Sequence, residues 1–214
     1  MYERKSRLKP AQRRELLLLF VGGATARAAA EITGVNRNTS ADFFMRLRKL
    51  IASKQPDFVV GPEFVADDLY LRDSVNKRTG RPVVVKRSPV FGLFRRDGRI
   101  HTALVPALWE RVADRGDAEP VHPAGMVFTL VRKGSSSTFD MTHFFYANAA
   151  DGCAGRTADI VNFWSQAKRH LYRFNGIQRD AFHLFLKECE WRFQQEDHGK
   201  LMEQLEGWIA RSKT

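Results

Sequence analysis

The first quarter of the chain repeats apolar positions at helical spacing. Apolar residues recur in three runs, Leu16–Phe20, Ala26–Ile32 and Phe43–Ile51. Pro10 can open the helix that carries the first run, and Thr25 and Asn36 can cap the helices that carry the second and third. The pattern therefore predicts three helices within residues 1–55, the second of them short, followed by a linker with Pro and Gly over residues 56–62.

Beyond residue 62 the spacing changes to the alternation that is typical of β-strands. The predicted strands cover residues 64–71, 90–94, 100–105, 126–131 and 144–147. Arg96, Asp97 and Gly98 form a hairpin turn signal between the second and third strands. Residues 108–112 predict a short helix, and residues 132–138 predict a polar loop. Strands followed by helices in this order predict an α+β or α/β domain with a mixed sheet flanked by helices.

Two long helices are predicted within residues 159–193. The first buries an apolar stripe and carries a basic flank of Lys168, Arg169 and Arg173, and the second repeats the stripe after an Asn-Gly stop signal. The residues expected to lie inside these helices are Ile160, Phe163, Trp164, Ala167, Leu171, Phe182, Phe185, Leu186, Cys189 and Phe193. A C-terminal helix over residues 196–214 is expected to pack onto the core of the same domain or to meet a partner.

The charge of the chain narrows the class of partner. Lysine and arginine number 35 against 24 aspartates and glutamates, which gives a formal charge of +11. This balance favours a polyanionic partner, nucleic acid before anionic membrane, and the alternative is a basic surface that is merely solvated. Residues 1–9 lack the apolar core of a signal peptide, and no apolar run reaches the roughly 20 residues of a membrane helix. We therefore expect a cytoplasmic protein without a membrane partner.

The third predicted helix carries the residues that suit recognition of duplex DNA. Arg37, Asn38 and Thr39 open it as polar donors, which is how a helix-turn-helix presents its second helix to the major groove. The cations expected to meet phosphates are Arg46, Arg48 and Lys49. Small three-helix bundles also serve as packing or dimerisation modules, and that alternative stays open. The basic residues favour the assignment of residues 1–55 as a helix-turn-helix domain that binds double-stranded DNA.

Several segments of the chain resemble a known family. NFWSQAKRHLYRFNGI and FHLFLKECEWRF, with SPVFGLFRRDGRIHTALVP, ADDLY and LFVGGATARAAAEITGVNRNT upstream, resemble the ISXO-like transposases of insertion-sequence family fifteen-ninety-five, which are bacterial DDE transposases. The resemblance covers most of the chain and weakens between residues 107 and 159. It implies an RNase H-like transposase domain over residues 63–195, a homo-oligomer on DNA, and contact of Lys168 and Arg169 with that DNA.

The resemblance also implies a catalytic site in which three carboxylates hold Mg²⁺ or Mn²⁺. Hard cations prefer oxygen ligands, and a metal pair stabilises both the attacking and the leaving oxygen of a phosphodiester. ADDLY is similar to the family's ADE(T/S)Y segment and places the metal-binding catalytic aspartate at Asp67, for which an exposed strand acid is the structural alternative. Leu130 stands where the family's VYTD ends in aspartate, and Val161 stands where its IENFW has glutamate.

Two hypotheses for the function differ in what they require of these carboxylates. The first is a transposase-like protein that binds terminal inverted repeats and carries out DDE-type strand cleavage and transfer, with catalysis impaired unless other acids, such as Asp140 or Asp151, complete the site. The second is a non-catalytic DNA-binding regulator derived from a transposase. A third, an oligomeric interaction module, is disfavoured by the positive charge. The basic segment 72–88 fits either phosphate contact or a solvated loop.

Overall fold

The chain divides into two compact units. Residues 1–54 and 191–214 form the first, called the helical unit, and residues 55–190 form the second, called the sheet unit. The computed structural model describes residues 8–60, 90–104, 119–121, 127–133, 139–145, 154–174, 177, 181–195 and 197–212. The predicted strand over 64–71, the basic segment 72–88 and the predicted helix over 108–112 lie outside these residues.

The described elements alternate in type along the chain as helices, strands and again helices. In order they are α1 (Pro10–Val21), α2 (Ala26–Thr33), α3 (Arg37–Ser53), β1 (Phe58–Val60), β2 (Val90–Arg96), β3 (Arg99–Leu104), β4 (Glu119–Val121), β5 (Val127–Lys133), β6 (Phe139–Phe145), α4 (Ala154–Leu171), α5 (Phe182–Gln194) and α6 (His198–Arg211). The division between the units falls within α5, so residues 182–190 belong to the sheet unit and residues 191–194 to the helical unit.

The core of the helical unit combines both ends of the chain. The rings of Phe20 and Phe44 meet edge to face with centroids 5.0 Å apart, and Trp191 stacks near Phe20 at 6.5 Å. The Trp191 indole N–H donates to Gln204 Oε1 at 2.6 Å, which fixes the ring against α6. The buried apolar side chains of this core include Leu16, Leu17, Phe20, Val21, Ala29, Phe44, Leu47, Ile51, Trp191, Leu201 and Leu205.

Helix α6 therefore contributes to a different core from the one that the sequence suggests. The apolar stripe of residues 196–214 predicts one buried face, and burial of Leu201 and Leu205 matches that prediction. Their partners, however, are the apolar residues of α1 and α3 in the helical unit. The leucines of α6 thus cover apolar side chains of α1 and α3 and enlarge the apolar surface that the helical unit buries.

The sheet unit contains a mixed sheet whose described strands follow the order β4-β1-β3-β2-β5-β6. Strands β3, β2, β5 and β6 are antiparallel neighbours, and β1 lies parallel to both β3 and β4. The turn between β2 and β3 uses Asp97 at φ 50° and Gly98 at φ 76°. Positive φ at both central residues is the geometry of a two-residue hairpin, as Arg96-Asp97-Gly98 predicts.

Three boundaries differ from those that the sequence predicts. The linker expected over residues 56–62 contains β1, because the backbone of Phe58 and Val59 pairs with that of β3. The strand predicted over 144–147 begins at Phe139 and ends at Phe145. Arg132 and Lys133, predicted to lie in the loop over 132–138, belong to β5. Pairing of Lys133 with Phe139 extends both strands toward a short connection. The RNase H-like arrangement stays a prediction, since its first strand is not among the described residues.

Helix α4 buries the stripe that the sequence assigns to it. Phe163, Trp164, Ala167 and Leu171 are all buried, and α4 packs against β2 and β3. Helix α5 also buries its predicted apolar residues, with Phe193 partly exposed near its end. Unlike α4, it is buried on every side from residue 184 to residue 191, so its charged residues lie inside as well. That burial is not expected from an amphipathic pattern.

Candidate nucleic-acid interface

Helices α2 and α3 follow one another closely along the chain, and local side chains cap their ends. Thr25 Oγ1 accepts the Ala28 N–H at 3.2 Å, and Asn36 Oδ1 accepts the Asn38 N–H at 2.9 Å. Gly34 ends α2 in the left-handed conformation at φ 66°, which a glycine adopts without a steric cost. These contacts confirm the helix boundaries predicted around Thr25, Gly34 and Asn36.

The close approach of α2 to α3 sets the direction in which α3 presents its first turn. Ser40 is fully buried, and its hydroxyl donates to the Ala26 carbonyl oxygen at 2.8 Å. Ala29 and Ala30 are buried on α2, where small side chains allow the helices to approach. With Ser40, Phe44, Leu47 and Ile51 inside, the opposite side of α3 is exposed to solvent.

The exposed side of α3 carries most of the residues predicted to bind DNA. Arg37, Asn38, Arg46 and Lys49 are exposed, and Thr39 is half-buried. At 3.6 residues per turn, Asn38 and Lys49 differ by about 20° around the helix, with Arg46 about 80° from Asn38. Arg37 and Thr39 lie on the two sides of Asn38, so this surface joins polar donors at the first turn to cations further along. We call these five residues the α3 face.

Asp42 is a member of the same surface that the sequence analysis did not single out. It is exposed, and it lies about 40° around the helix from Asn38. A carboxylate here repels phosphates, but it can accept a hydrogen bond from the amino group of cytosine in the major groove. Its position one turn after Asn38 was the available signal in the sequence.

An ion-pair network orders the start of the α3 face. Glu31 Oε1 accepts from Arg27 Nε at 3.2 Å and from Arg37 Nη2 at 3.1 Å. The hydrogen bond from Arg27, followed by that from Arg37, holds the pKa of the Glu31 carboxyl below its ordinary value of 4.5. All three side chains are exposed, so the network is solvated and Arg37 remains accessible from outside.

Arg48 does not lie with the other cations of α3, contrary to the prediction that it meets phosphates. It is only 4% exposed, and its guanidinium lies over the Phe20 ring, 5.5 Å from the centroid. The helical period explains the difference, because Arg48 follows Phe44 by four residues and precedes Ile51 by three, and so shares their inward side. Arg48 belongs to the core of the helical unit.

The predicted basic residues of the C-terminal region are exposed on α4 and just after it. Lys168, Arg169 and Arg173 all face solvent, whereas the neighbouring His170 Nε2 lies 3.0 Å from Glu188 Oε1. Val161 is 56% exposed on the same helix. A hydrocarbon side chain thus stands on an otherwise polar surface, at the position where the family resemblance expects a metal-binding glutamate.

The described residues do not assemble the carboxylates of a metal site. Asp67 lies outside them, and so does Asp151, whereas Asp140 lies in β6 opposite Arg132. Leu130 lies in β5, where its backbone pairs with Val90 and Thr142. Within the described ranges, no three His, Cys, Asp or Glu residues are grouped closely enough to hold a metal ion. Because the side chains of Leu130 and Val161 offer no oxygen ligand, the residues present do not fit a Mg²⁺ or Mn²⁺ pair.

A buried ionic cluster in the sheet unit is the most unexpected chemistry of the chain. Glu190 Oε2 accepts from the Thr102 N–H at 3.1 Å, the Thr102 hydroxyl at 2.8 Å and Lys187 Nζ at 3.2 Å. Lys187 Nζ also donates to the Pro56 carbonyl oxygen at 2.8 Å. His101 Nδ1 lies 3.3 Å from Glu190 Oε1. These contacts tie α5 to β3 and to the start of β1, so the cluster serves the fold of the sheet unit.

Comparison with known proteins gives one informative similarity. An uncharacterized transposase-like protein of Haemophilus influenzae is 37% identical to the chain over 100 residues, which cover 44% of this chain and 80% of that protein. No family model and no solved structure matches the chain. None of the helices in the described part of the chain is both long enough and apolar enough to cross a membrane.

Proposed function

This chain belongs to the family of transposase-like proteins, and from that premise we propose that it binds duplex DNA through the α3 face. The observation that carries the proposal is the exposure of Asn38, Arg46 and Lys49 on one side of a helix whose other side is buried, with Arg37 also exposed at its first turn. A helix of this kind fits the major groove, where its first turn reaches base edges and its later cations reach phosphates.

The residues of the α3 face divide into two roles. Arg37 and Asn38 lie at the first turn, and side chains of these types form bidentate contacts with guanine and adenine respectively. Arg46 and Lys49 lie about two to three turns later, where a groove-bound helix approaches the DNA backbone. The +11 charge of the chain supports binding to a polyanion. The family resemblance makes terminal inverted repeats of an insertion sequence the proposed DNA, bound by a homo-oligomer.

We further propose that strand cleavage and transfer are impaired in this chain. Leu130 and Val161 replace two of the three carboxylates that the resemblance implies, so a pair of divalent cations would have Asp67 as its one family ligand. The second candidate function, a non-catalytic DNA-binding regulator derived from a transposase, is favoured by the same observation. The exposed cations of α4 require no metal and are compatible with either function.

Binding to duplex DNA tests the first proposal. The full chain is titrated with labelled duplexes that carry the element's ends or an unrelated sequence, at several salt concentrations. Arg37→Ala should weaken binding to the preferred site by about 1 to 3 kcal/mol, and Lys49→Ala should weaken binding to both duplexes alike. Lys200→Ala, an exposed lysine of α6, is the matched control and should change neither. Salt-insensitive binding, or equal effects of all three variants, would show that α3 is not the contact surface.

Cleavage of the same duplexes tests the second proposal. The unmodified chain should bind but leave the strands intact in Mg²⁺ and in Mn²⁺, and the joint variant Leu130→Asp with Val161→Glu should gain metal-dependent nicking. Each single variant should gain little, because the three carboxylates act as a unit. Robust cleavage by the unmodified chain that disappears in Asp67→Ala would show that other acids complete the site. Cleavage that survives Asp67→Ala would exclude the assigned position altogether.

A further inference from the structure

An exposed aromatic ring stands among cations at the C-terminal end of α4. Tyr172 is 70% exposed, the largest fraction among the exposed large apolar and aromatic side chains in the described residues. Lys168, Arg169 and Arg173 are exposed beside it. Cations near a helix C-terminus are explained by the helix dipole alone, but the dipole gives no reason for a solvated ring between them.

Tyr172 belongs to a continuous surface along α4. One stripe of exposed residues runs along α4 from Val161 to the residue after its end and consists of Val161, Ser165, Lys168 and Tyr172. At 3.6 residues per turn these four fall within about 60° of one another and span about 16 Å along the axis. Arg169 and Arg173 lie on the next stripe. We call these six residues the α4 face, and it combines one ring with three cations.

The backbone that carries the ring is held in place. The Tyr172 N–H donates to the Lys168 carbonyl oxygen at 2.9 Å, which continues the helical pattern, and the Phe174 N–H donates to the Leu171 carbonyl oxygen at 3.0 Å. The Phe174 ring packs edge to face against His170 at 5.2 Å and against Phe185 at 5.1 Å. A ring on an anchored backbone loses little conformational entropy when a flat ligand stacks on it.

Lys168 and Arg169, beside the ring, are exposed and available to a ligand. In the part of the chain that the structure describes, neither Lys168 nor Arg169 has an ion-pair partner, whereas the intervening His170 is directed to Glu188. An exposed ring flanked by cations is the composition that binds unpaired nucleic acid, because bases stack on aromatic side chains while cations follow the phosphates. Fully paired DNA hides its base faces, so it cannot use the ring.

We propose that Tyr172 stacks on an unpaired base of DNA while Lys168, Arg169 and Arg173 contact the phosphates beside it. The choice of DNA as the ligand rests on the proposed function. A protein that binds the ends of a duplex through α3 also meets the frayed or overhanging strands of those ends. Stacking on Tyr172 adds a second mode of binding, which recognises the absence of pairing rather than a base sequence.

Fluorescence titration of the full chain tests the inference with three ligands: a single-stranded oligodeoxynucleotide, its blunt duplex, and that duplex with an overhang that carries the fluorescent base 2-aminopurine. Tyr172→Ala should weaken binding to the single strand by roughly 5- to 100-fold and abolish quenching of the 2-aminopurine. Affinity for the blunt duplex should stay within about twofold, because paired bases do not reach the ring. Tyr172→Phe keeps the ring and should retain the single-strand affinity.

Controls separate stacking from other roles of the ring. Ile32→Ala removes a comparably exposed apolar side chain from α2 and should leave single-strand binding unchanged. Tyr172→Leu keeps apolar bulk without a stacking surface and should behave like Tyr172→Ala, which also covers the case that the alanine variant folds poorly. Equal weakening on the single strand and the blunt duplex, or full affinity of the leucine variant, would overturn the inference.

Three further outcomes are decisive. Tighter binding to RNA than to DNA of the same sequence would overturn the choice of DNA. If light scattering shows that Tyr172→Ala changes the molecular mass, the ring contacts another protein chain and the inference fails. If the wild-type chain fails to bind blunt duplex while single-strand binding still depends on Tyr172, the inference stands and the proposed function of α3 fails. The two failures are therefore distinguishable.

Discussion

Among the described residues, the interior of the helical unit is apolar apart from Ser40 and the cation of Arg48. The interior of the sheet unit, by contrast, contains three ionisable side chains of α5: Lys187, Glu188 and Glu190. The two interiors differ in the packing that each requires. Apolar side chains stabilise by leaving water and tolerate many neighbours, but a buried charge requires a partner at a fixed place. The sheet unit is therefore more sensitive to loss of one partner, and the helical unit to loss of volume.

The largest expected effect comes from the buried carboxylate. Glu190→Ala should lower the free energy of unfolding by about 3 to 5 kcal/mol, because it leaves Lys187 buried without its anion and Thr102 without its acceptor. Urea unfolding monitored by circular dichroism measures the change. Glu203→Ala, an exposed glutamate of α6, is the control and should be nearly neutral.

The joint variant Lys187→Met with Glu190→Leu sharpens the comparison of the two interiors. Replacing both charges with apolar groups of similar size removes the unpaired cation, so stability should recover most of what Glu190→Ala loses. If the joint variant is as unstable as Glu190→Ala, the geometry of the cluster matters more than its charge balance.

The second effect is a loss of volume in the helical unit. Leu205→Ala should lower the free energy of unfolding by about 2 to 5 kcal/mol, since Leu205 is fully buried and its truncation leaves a cavity. Duplex binding should weaken in parallel as the measurement temperature approaches the unfolding midpoint. The Leu18 side chain on α1 is 53% exposed, so Leu18→Ala serves as the control. Full stability of Leu205→Ala would mean that α6 does not contribute to this core.

The third effect separates two adjacent cations of α3. Arg48→Met should cost about 1 to 2 kcal/mol of stability, because methionine keeps buried bulk but loses the cation over Phe20. Duplex affinity should not change. Lys49→Met should show the opposite pattern, with unchanged thermal unfolding and weaker binding. A loss of duplex affinity in folded Arg48→Met would show that Arg48 contacts the DNA after all.

The smallest effect concerns a carboxylate paired at the surface rather than in the interior. The pKa of Glu31 is lowered in the folded state, so its contribution to stability is complete above the unfolded pKa and is lost as the pH falls through the folded pKa. The window therefore lies below about pH 5. As the pH is lowered, the thermal unfolding midpoint of Glu31→Gln should fall slightly less steeply than that of the wild type. A steeper profile in the variant would contradict the sign.

Local signals explain which parts of the fold were predictable. Thr25, Gly34, Asn36 and the Asp97-Gly98 turn act through neighbours within four residues, and the sequence therefore predicts their positions correctly. The stripe of α4 was predictable for the same reason. Local pattern does not name a distant partner, however, so the stripe of α6 predicts a buried face without indicating that α1 and α3 cover it.

The candidate site shows the same limit. Helical period places Asn38, Arg46 and Lys49 on one side of α3, and it would also have placed Arg48 inside had its spacing from Phe44 been given weight. Burial of Lys187 and Glu190 could not be predicted, because Thr102 and Pro56 are far away in sequence and only the tertiary fold brings them near. Strand β1 is too short to show alternation and is recognised by its pairing alone.

The division of the chain has a consequence for biosynthesis. The helical unit takes α1, α2 and α3 from the start of the chain and Trp191 and α6 from its last part, with the whole sheet unit encoded between them. On the ribosome the first three helices emerge long before the leucines that cover their core, so the unit that carries the α3 face cannot complete its folding until translation has passed α6. A nascent or truncated chain without α6 would thus lack a settled α3 face, so the DNA binding proposed for that face would depend on synthesis of residues up to Arg211.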